Sequence, residues 1–253
     1  MSLEPQTPTY RQIADQIRSQ IESGEYVPGA RLPSEDELAA RYGVARSLVN
    51  RALGILRTEG TVRVQRGRGT IVSEIPVIHR DSTSRYDREA RERSGGRGAF
   101  DAEIKALGLT PRSDTEVGLV NPPADVALAL GLSPGEQVIR RMRRMYANDV
   151  PVQLAPSYIP ATLAEGTQLA EVDSGPGGII SRFADLGYAQ TRITESVRVR
   201  RATDDELAFL RLEEDQPVVE IFHVGWAGDR PVEVAVHSVA ASQWIFDYSW
   251  PIR

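Results

Sequence analysis

The chain has 253 residues, room for two domains, and its 30 basic side chains stand against 35 acids for a net charge of −5 and a pI near 5.4. It has no cysteine, no apolar run long enough to span a bilayer and no leader with a basic start and an apolar core. That excludes disulfide and thiolate chemistry and predicts a soluble, cytoplasmic protein without a membrane partner.

In chain order, Ile13, Ile17 and Ile21 recur every four residues among polar positions, the stripe of a helix that packs one face on a core. Ser34 then precedes Glu35 and Glu37, an N-cap followed by acids at the positive end of a helix dipole, so a second helix starts there with Leu38, Ala39 and Tyr42 inward. Gly43 breaks that helix and Val44 plugs the turn. A third helix is predicted from about Ala45 to Glu59, with Leu48, Val49, Ala52, Leu53 and Leu56 inward. Helix, short break, helix is helix-turn-helix spacing.

The outer face near the start of the third helix carries Arg46, Ser47 and Asn50, which are placed to meet base edges, while Arg51 and Arg57 suit phosphates. A basic hairpin from Thr61 to Ser73 adds Arg63, Arg66 and Arg68, with Gly67 and Gly69 at its turn. Between Arg41 and Arg68 there are seven arginines and one acid, Glu59. In a chain that is acidic overall, positive charge is therefore concentrated on one module, the electrostatic footprint of nucleic-acid binding. The other reading of a winged helix, a protein-protein module, leaves the arginine cluster without a purpose.

The run TYRQIADQIRSQIESGEYVPGARLPSEDELAARYGVARSLVNRAL and the wing RGRGTIV resemble the DNA-binding domain of the GntR family of bacterial transcription regulators over Thr9 to Ser73. The resemblance implies that Arg46 reads a base in the major groove with support from Ser47 and Asn50, and that Gly67 enters the minor groove. Ser34, Glu35, Arg51, Arg66 and Arg68 complete the expected DNA-binding set. Asp36, Leu48 and Asn50 stand where family members often carry Arg or Thr, so the operator differs from familiar ones.

Residues 1–75 are thus expected to form the winged helix, and 76–98 a charged linker closed by Gly95 and Gly96. Residues 99–253 form the second domain, in which Thr115–Leu154 superposes on Glu195–Val234 with a constant shift of 80 positions. Each copy reads strand, short helix, long strand, tight turn and strand. Within it the even positions, among them Val138, Val152, Leu154, Val224, Val232 and Val234, form an apolar face beneath the helices. Odd positions place Arg141, Arg143, Gln153, Ser157, His223, Glu233 and His237 on the other face with Ile139, Met145, Val219 and Ile221. That face either meets water or lines a pocket enclosed by the two copies. Between the copies, the run from Asp173 to Gly178 opens into a helix from about Ile179 to Leu186, whose free N–H groups suit phosphate or carboxylate.

Phe100 to Tyr248 is similar to the UTRA effector-binding domain of the HutC branch of the GntR family, a chorismate-lyase-like fold, through RRMRRMYANDVPVQLAPSYIP, ITESVRVRRATDDELAFLRLEEDQPVVEI and GDRPVEVAVH. The overall fold class is then α+β: a winged helix-turn-helix joined to an antiparallel-sheet domain with an internal duplication. The resemblance implies that Arg143 is the first arginine of an anion-holding Arg-x-Arg pair, with Met145 at the second position. Ala155 replaces an acid, and Glu233 takes a ligand hydroxyl or amine. Ser157, Gly177, Gly178 and His223 complete the expected effector set. An anionic small-molecule effector, a homodimer and a palindromic operator are the expected partners, with no cofactor and no metal. A dimerisation domain without a ligand stays open because of Met145 and Ala155. An enzyme is a weaker reading, since there is no nucleophile motif and the three histidines lack metal-ligand spacing.

Overall fold

The computed structural model describes residues 7–65, 67–86, 98–250 and 252, which fall into two compact units, the first ending at Val77 but also taking in Arg211–Glu214, the second holding the rest. The first contains helices α1 (Tyr10–Glu22), α2 (Glu35–Tyr42) and α3 (Arg46–Thr58) and strands β1 (Val62–Gln65) and β2 (Gly69–Val72). Thr9 caps α1 and Ser34 caps α2, each in a reciprocal box with the Gln12 or Glu37 side chain three residues on. Ile13 and Ile17 are buried together with Leu38, Val49, Leu53 and Leu56, while Ile21, Ala39, Tyr42 and Leu48 pack partly buried at the margin. Gly43 ends α2 at φ 64°, a left-handed conformation that strains an L side chain by about 1–2 kcal/mol. β1 and β2 form an antiparallel hairpin from Val62↔Val72 to Gln65↔Gly69, the wing expected from the basic run.

The second unit begins with β3 (Ile78–Asp81), a 3-10 turn at Ser84–Tyr86 and α4 (Ala99–Ala106). It continues through β4 (Pro111–Val120), α5 (Ala124–Leu130), β5 (Val138–Ala147), β6 (Val150–Leu154) and β7 (Ser157–Pro160). Then come α6 (Ala161–Ala164), a second 3-10 turn at Gln168–Ala170, and α7 (Gly178–Asp185). The last part holds β8 (Arg192–Arg201), α8 (Asp204–Leu210), β9 (Pro217–Ala227), β10 (Arg230–Ala240) and β11 (Trp244–Asp247). Seven of these strands form one sheet in the order β4-β5-β6-β10-β9-β8, with β7 bonded to both β5 and β10.

The duplication is visible in the register. Thr115 pairs with Arg143 across β4 and β5, and Glu195 pairs with His223 across β8 and β9, the same couple 80 positions later. Both copies carry a bulge in the strand after the tight turn: Tyr146↔Pro151 gives way to Met145↔Gln153, and Trp226↔Pro231 gives way to Gly225↔Glu233. The extra residues are Val152 and Val232. Even the left-handed residue after the short helix recurs, at Gly131 (φ 66°) and Arg211 (φ 58°).

The bulges correct the simple even-odd division. Val232 leaves the even face and packs with Ile139, Ile159, Leu163, Leu169 and Phe183, because one inserted residue reverses the side on which its neighbours point. Val138, Val224 and Val234 keep the expected even face, packed with Val126 and Leu130 of α5.

The linker expected over 76–98 is also corrected. Ile78–Asp81 is a strand paired in parallel with β11, from Trp244↔Ile78 to Asp247↔Asp81. Its alternation buries Ile78 and Arg80 and exposes His79. The segment reads as polar because one of its inward residues is an arginine. Residues 87–97 of the expected linker lie outside the described residues.

Candidate functional site

Both units bring sequence-predicted residues together. On the first, α3 presents Arg46, Ser47 and Asn50 exposed on one face, since its opposite stripe of Val49, Ala52, Leu53 and Leu56 is buried. Glu35, in the first turn of α2, reaches across to this face. It accepts from Arg46 Nε at 2.7 Å and from Asn50 Nδ2 at 2.8 Å. The hydrogen bond from Arg46 holds the Glu35 carboxyl below its ordinary range, against the opposing effect of burial. Ser34 accepts from Glu37 N and so fixes where α2 begins. Arg51, exposed, lies 4.2 Å over the Tyr10 ring, a cation-π contact between α3 and α1. Gly67 and Arg68 are exposed at the tip of the wing, where Arg68 donates to Gln65 Oε1 at 3.2 Å. Arg66 lies outside the described residues.

In the second unit the odd face of the sheet encloses a cavity of about 220 Å³. From the sheet come Thr115, Arg143, Met145, Gln153, His223, Glu233 and His237; Gly177 and Gly178 at the start of α7, Arg85, Tyr86 and Phe100, and the acids Asp101 and Asp173 also line it. Of the two sequence readings of this face, the pocket holds: His223, Glu233 and His237 are all under a tenth exposed. Five of the six predicted effector residues meet here. Ser157 is the exception, fully buried with an unpartnered hydroxyl and outside the lining.

Two arginines of β5, Arg141 and Arg143, line the cavity in different settings. Arg143 Nε donates to the Ala155 carbonyl at 3.1 Å, and burial pulls its pKa down while Glu233 partly restores it. Among the described residues no carboxylate lies within ion-pair distance of Arg143. Arg141, 2% exposed, donates to the carbonyls of Leu169 and Val172, each at 3.0 Å, and to that of Glu171. Burial and the neighbouring Arg143 lower it to about 10. These bonds pin the chain between the second 3-10 turn and the glycine-rich loop that forms one wall. Glu233 accepts from Gln190 Nε2 at 3.0 Å through one carboxylate oxygen. His237, beside Gln153, is held well below 6.5 by burial and by the arginines around it, and so stays neutral.

A second network supports the wall from behind. Arg80 donates to both oxygens of Glu195, and Tyr86 OH donates to Glu195 Oε1 at 2.8 Å. His223 Nδ1 lies 3.2 Å from the same oxygen, and its ring stacks on Tyr86 with centroids 5.5 Å apart. Burial alone would raise the Glu195 carboxyl, yet the bonds from His223, Arg80 and Tyr86 hold it far below the usual carboxylate range. Burial likewise raises Tyr86, which keeps its hydroxyl protonated as a donor.

Sequence reasoning missed Arg85, Tyr86, Phe100 and Gln190 as parts of the site. Arg85 and Tyr86 sat in the presumed linker, and Gln190 lies between motifs. A usable signal for Gln190 was Gly225, a glycine inside a strand at the position where the other copy has Met145. A Cβ there would stand 2.5 Å from Gln190 Nε2, so the missing side chain marks where another passes.

Known proteins share both halves of this arrangement. The pattern of the gntR family of bacterial regulatory proteins matches residues 9–72, and that of the UTRA domain matches residues 106–243, more than half of the chain. An uncharacterized HTH-type transcriptional regulator of Streptomyces coelicolor is 32% identical over 98% of this chain and 96% of its own. The histidine utilization repressor of Pseudomonas aeruginosa is 28% identical over 92% of this chain and 87% of its own. The crystal structure of PhnF from Mycobacterium smegmatis shares the fold, with a TM-score of 0.60 at 21% identity over 95% of this chain and all of that one. Among the described residues no helix is long and apolar enough to cross a membrane. The names in this family point to regulators rather than enzymes. With an arginine-bearing helix-turn-helix joined to a small-molecule-binding UTRA domain, the chain belongs to the GntR family, in its HutC branch, and is a DNA-binding transcription regulator.

Proposed function

We propose that this regulator is a homodimeric repressor that leaves a palindromic operator in the cytoplasm when a small anionic metabolite enters the cavity. The observation that carries this reading is the half-buried Arg143, which lines the cavity with no carboxylate in ion-pair distance among the described residues. A guanidinium partly withdrawn from water, with Glu233 near but not paired to it, is an arrangement that a ligand anion improves. Arg143 and the first turn of α7 at Gly177 and Gly178 supply the positive end of the site. Glu233, with one oxygen held by Gln190, has the other available for a ligand hydroxyl or amine. Met145, in the place of a second arginine, supports a ligand with a single anionic group.

Two winged helices on a twofold axis match two half-sites about one helical turn apart. Several arginine–phosphate contacts make binding steep in salt, so a ligand that favours another arrangement of the dimer releases the DNA by its differential affinity for the two. The cavity binds rather than turns over its ligand, a reading that the regulator names of its relatives support. Genome-wide binding with the purified protein, followed by titration of a recovered operator against small organic acids, sugar phosphates and amino-acid intermediates, tests the reading. Palindromic sites released by one metabolite support it. Sites that none releases favour a constitutive repressor whose second domain only dimerises.

A further inference from the structure

Glu35, at the start of α2, brings a negative charge to the DNA-reading face. Glu35 lies where a DNA phosphate or base edge approaches, and a carboxylate there repels DNA unless it does something that offsets the repulsion. Its two oxygens are divided between the two side chains best suited to read bases: Oε2 takes Arg46 Nε at 2.7 Å and Oε1 takes Asn50 Nδ2 at 2.8 Å. Arg46 and Asn50 are one helical turn apart on α3, so one fixed carboxylate aligns two long side chains that otherwise sample many rotamers. The Glu35 side chain is itself only 25% exposed, whereas that of Arg46 is 64% exposed. A more anchored group therefore holds a freer one. Asp36 does not share this role. It lies 3.7 Å from Arg46 NH1, beyond hydrogen-bond distance, and is 75% exposed.

What Glu35 leaves unused is a recognition pattern. With Nε occupied, the two terminal nitrogens of Arg46 remain as a parallel donor pair, which matches O6 and N7 of guanine. Because a carboxylate only accepts, the Asn50 amide must turn its nitrogen inward, which leaves Oδ1 and one N–H outward. That acceptor–donor pair matches N6 and N7 of adenine.

We propose that Glu35 is a positioning residue for base reading, holding Arg46 for guanine and Asn50 for adenine at neighbouring positions of each half-site. The inference rests on α3 being the recognition helix and goes beyond it, since it assigns a role in specificity to an acid that touches no DNA.

Selection of binding sites from a random duplex library, with the full-length protein and its Glu35→Gln and Asp36→Asn variants, tests it, with affinities then measured on the selected and on unrelated DNA. The wild type should select guanine next to, or one base removed from, adenine. Both variants lose one negative charge and should bind unrelated DNA a few-fold more tightly. Asp36→Asn should tighten the selected site in parallel. Glu35→Gln should instead weaken it by roughly tenfold and lose the preference at the guanine and adenine positions, with an unchanged thermal unfolding midpoint. If Glu35→Gln tightens both DNAs alike and keeps the same selected sequence, Glu35 is only a screening charge and the proposal fails. If the wild type selects no sequence at all, α3 is not a recognition helix and the earlier reading falls with it.

Discussion

The face that meets DNA and the cavity in the second unit use the same side chain, arginine, in opposite settings. On α3, Arg46 is exposed and its partners are acids at the surface, where ion pairs contribute between nothing and about 1 kcal/mol to the fold. In the second unit Arg80 and Arg141 are each 2% exposed, held by Glu195 in one case and by three backbone carbonyls in the other. An arginine at the surface is available to a partner because the fold does not need it. A buried one is part of the frame, and its loss strands whatever it held.

The largest expected effect breaks that frame. Arg80→Met leaves Glu195 buried without its guanidinium and should destabilise the second unit by about 3–5 kcal/mol, read as a lower midpoint in urea. The pair Arg80→Met, Glu195→Gln should recover part of that loss, because the stranded charge is gone.

Next comes Arg46→Ala, expected to weaken operator binding by about 1–3 kcal/mol while the unfolding midpoint stays within about 0.5 kcal/mol of the wild type. A large fall in stability there would erase the contrast between the two settings. Gly225→Ala sharpens it from the other side. Its Cβ would stand 2.5 Å from Gln190 Nε2, so Gln190 must leave Glu233 at a strain of about 1–3 kcal/mol. Ligand response measured by operator release should weaken, with DNA affinity in the absence of ligand unchanged.

Acid should reach the buried groups in a set order. His237 is held well below 6.5 in the fold. The unfolded chain therefore takes up a proton first, and stability falls as pH drops below about 6.5. Glu206, depressed to about 2 by the hydrogen bonds of Arg200 and Ser238 and by Thr203 against the effect of burial, contributes stability present above the unfolded carboxylate range near 4.5 and lost as pH falls from there toward 2. His237→Asn should remove the loss between pH 6.5 and 5 and leave the acid limb, as followed by thermal melts. The smallest effect belongs to the surface pair Arg18–Glu59, 2.9 Å apart: Arg18→Gln should change stability by less than about 1 kcal/mol.

What could be read from the sequence follows how far apart the partners lie. Ile13 and Ile17, the Ser34 cap and the Gly43 break are local patterns, and each holds in the structure. The duplication was legible although its strands are distant, because eighty residues of spacing preserve register position by position. The bulges at Val152 and Val232 were not, since one extra residue leaves the spacing between copies unchanged while turning the side chains around it. Likewise Arg80 looked like part of a charged tether: its partner Glu195 lies 115 positions away, and β3 pairs with β11 near the other end of the chain. For the site, sheet residues such as Arg143 and Glu233 came from alternation, whereas Tyr86 and Gln190 reach it from irregular segments without periodicity.

The most direct test of the account is fluorescence anisotropy of a selected operator bound by the wild type and by Arg143→Met, titrated with each metabolite of the panel. One small anion should weaken the wild-type complex by at least about tenfold, a coupling of about 1.4 kcal/mol, and leave the Arg143→Met complex unaffected at the same concentration. A metabolite that releases both proteins alike would contradict the claim that the cavity, through Arg143, is where the signal enters.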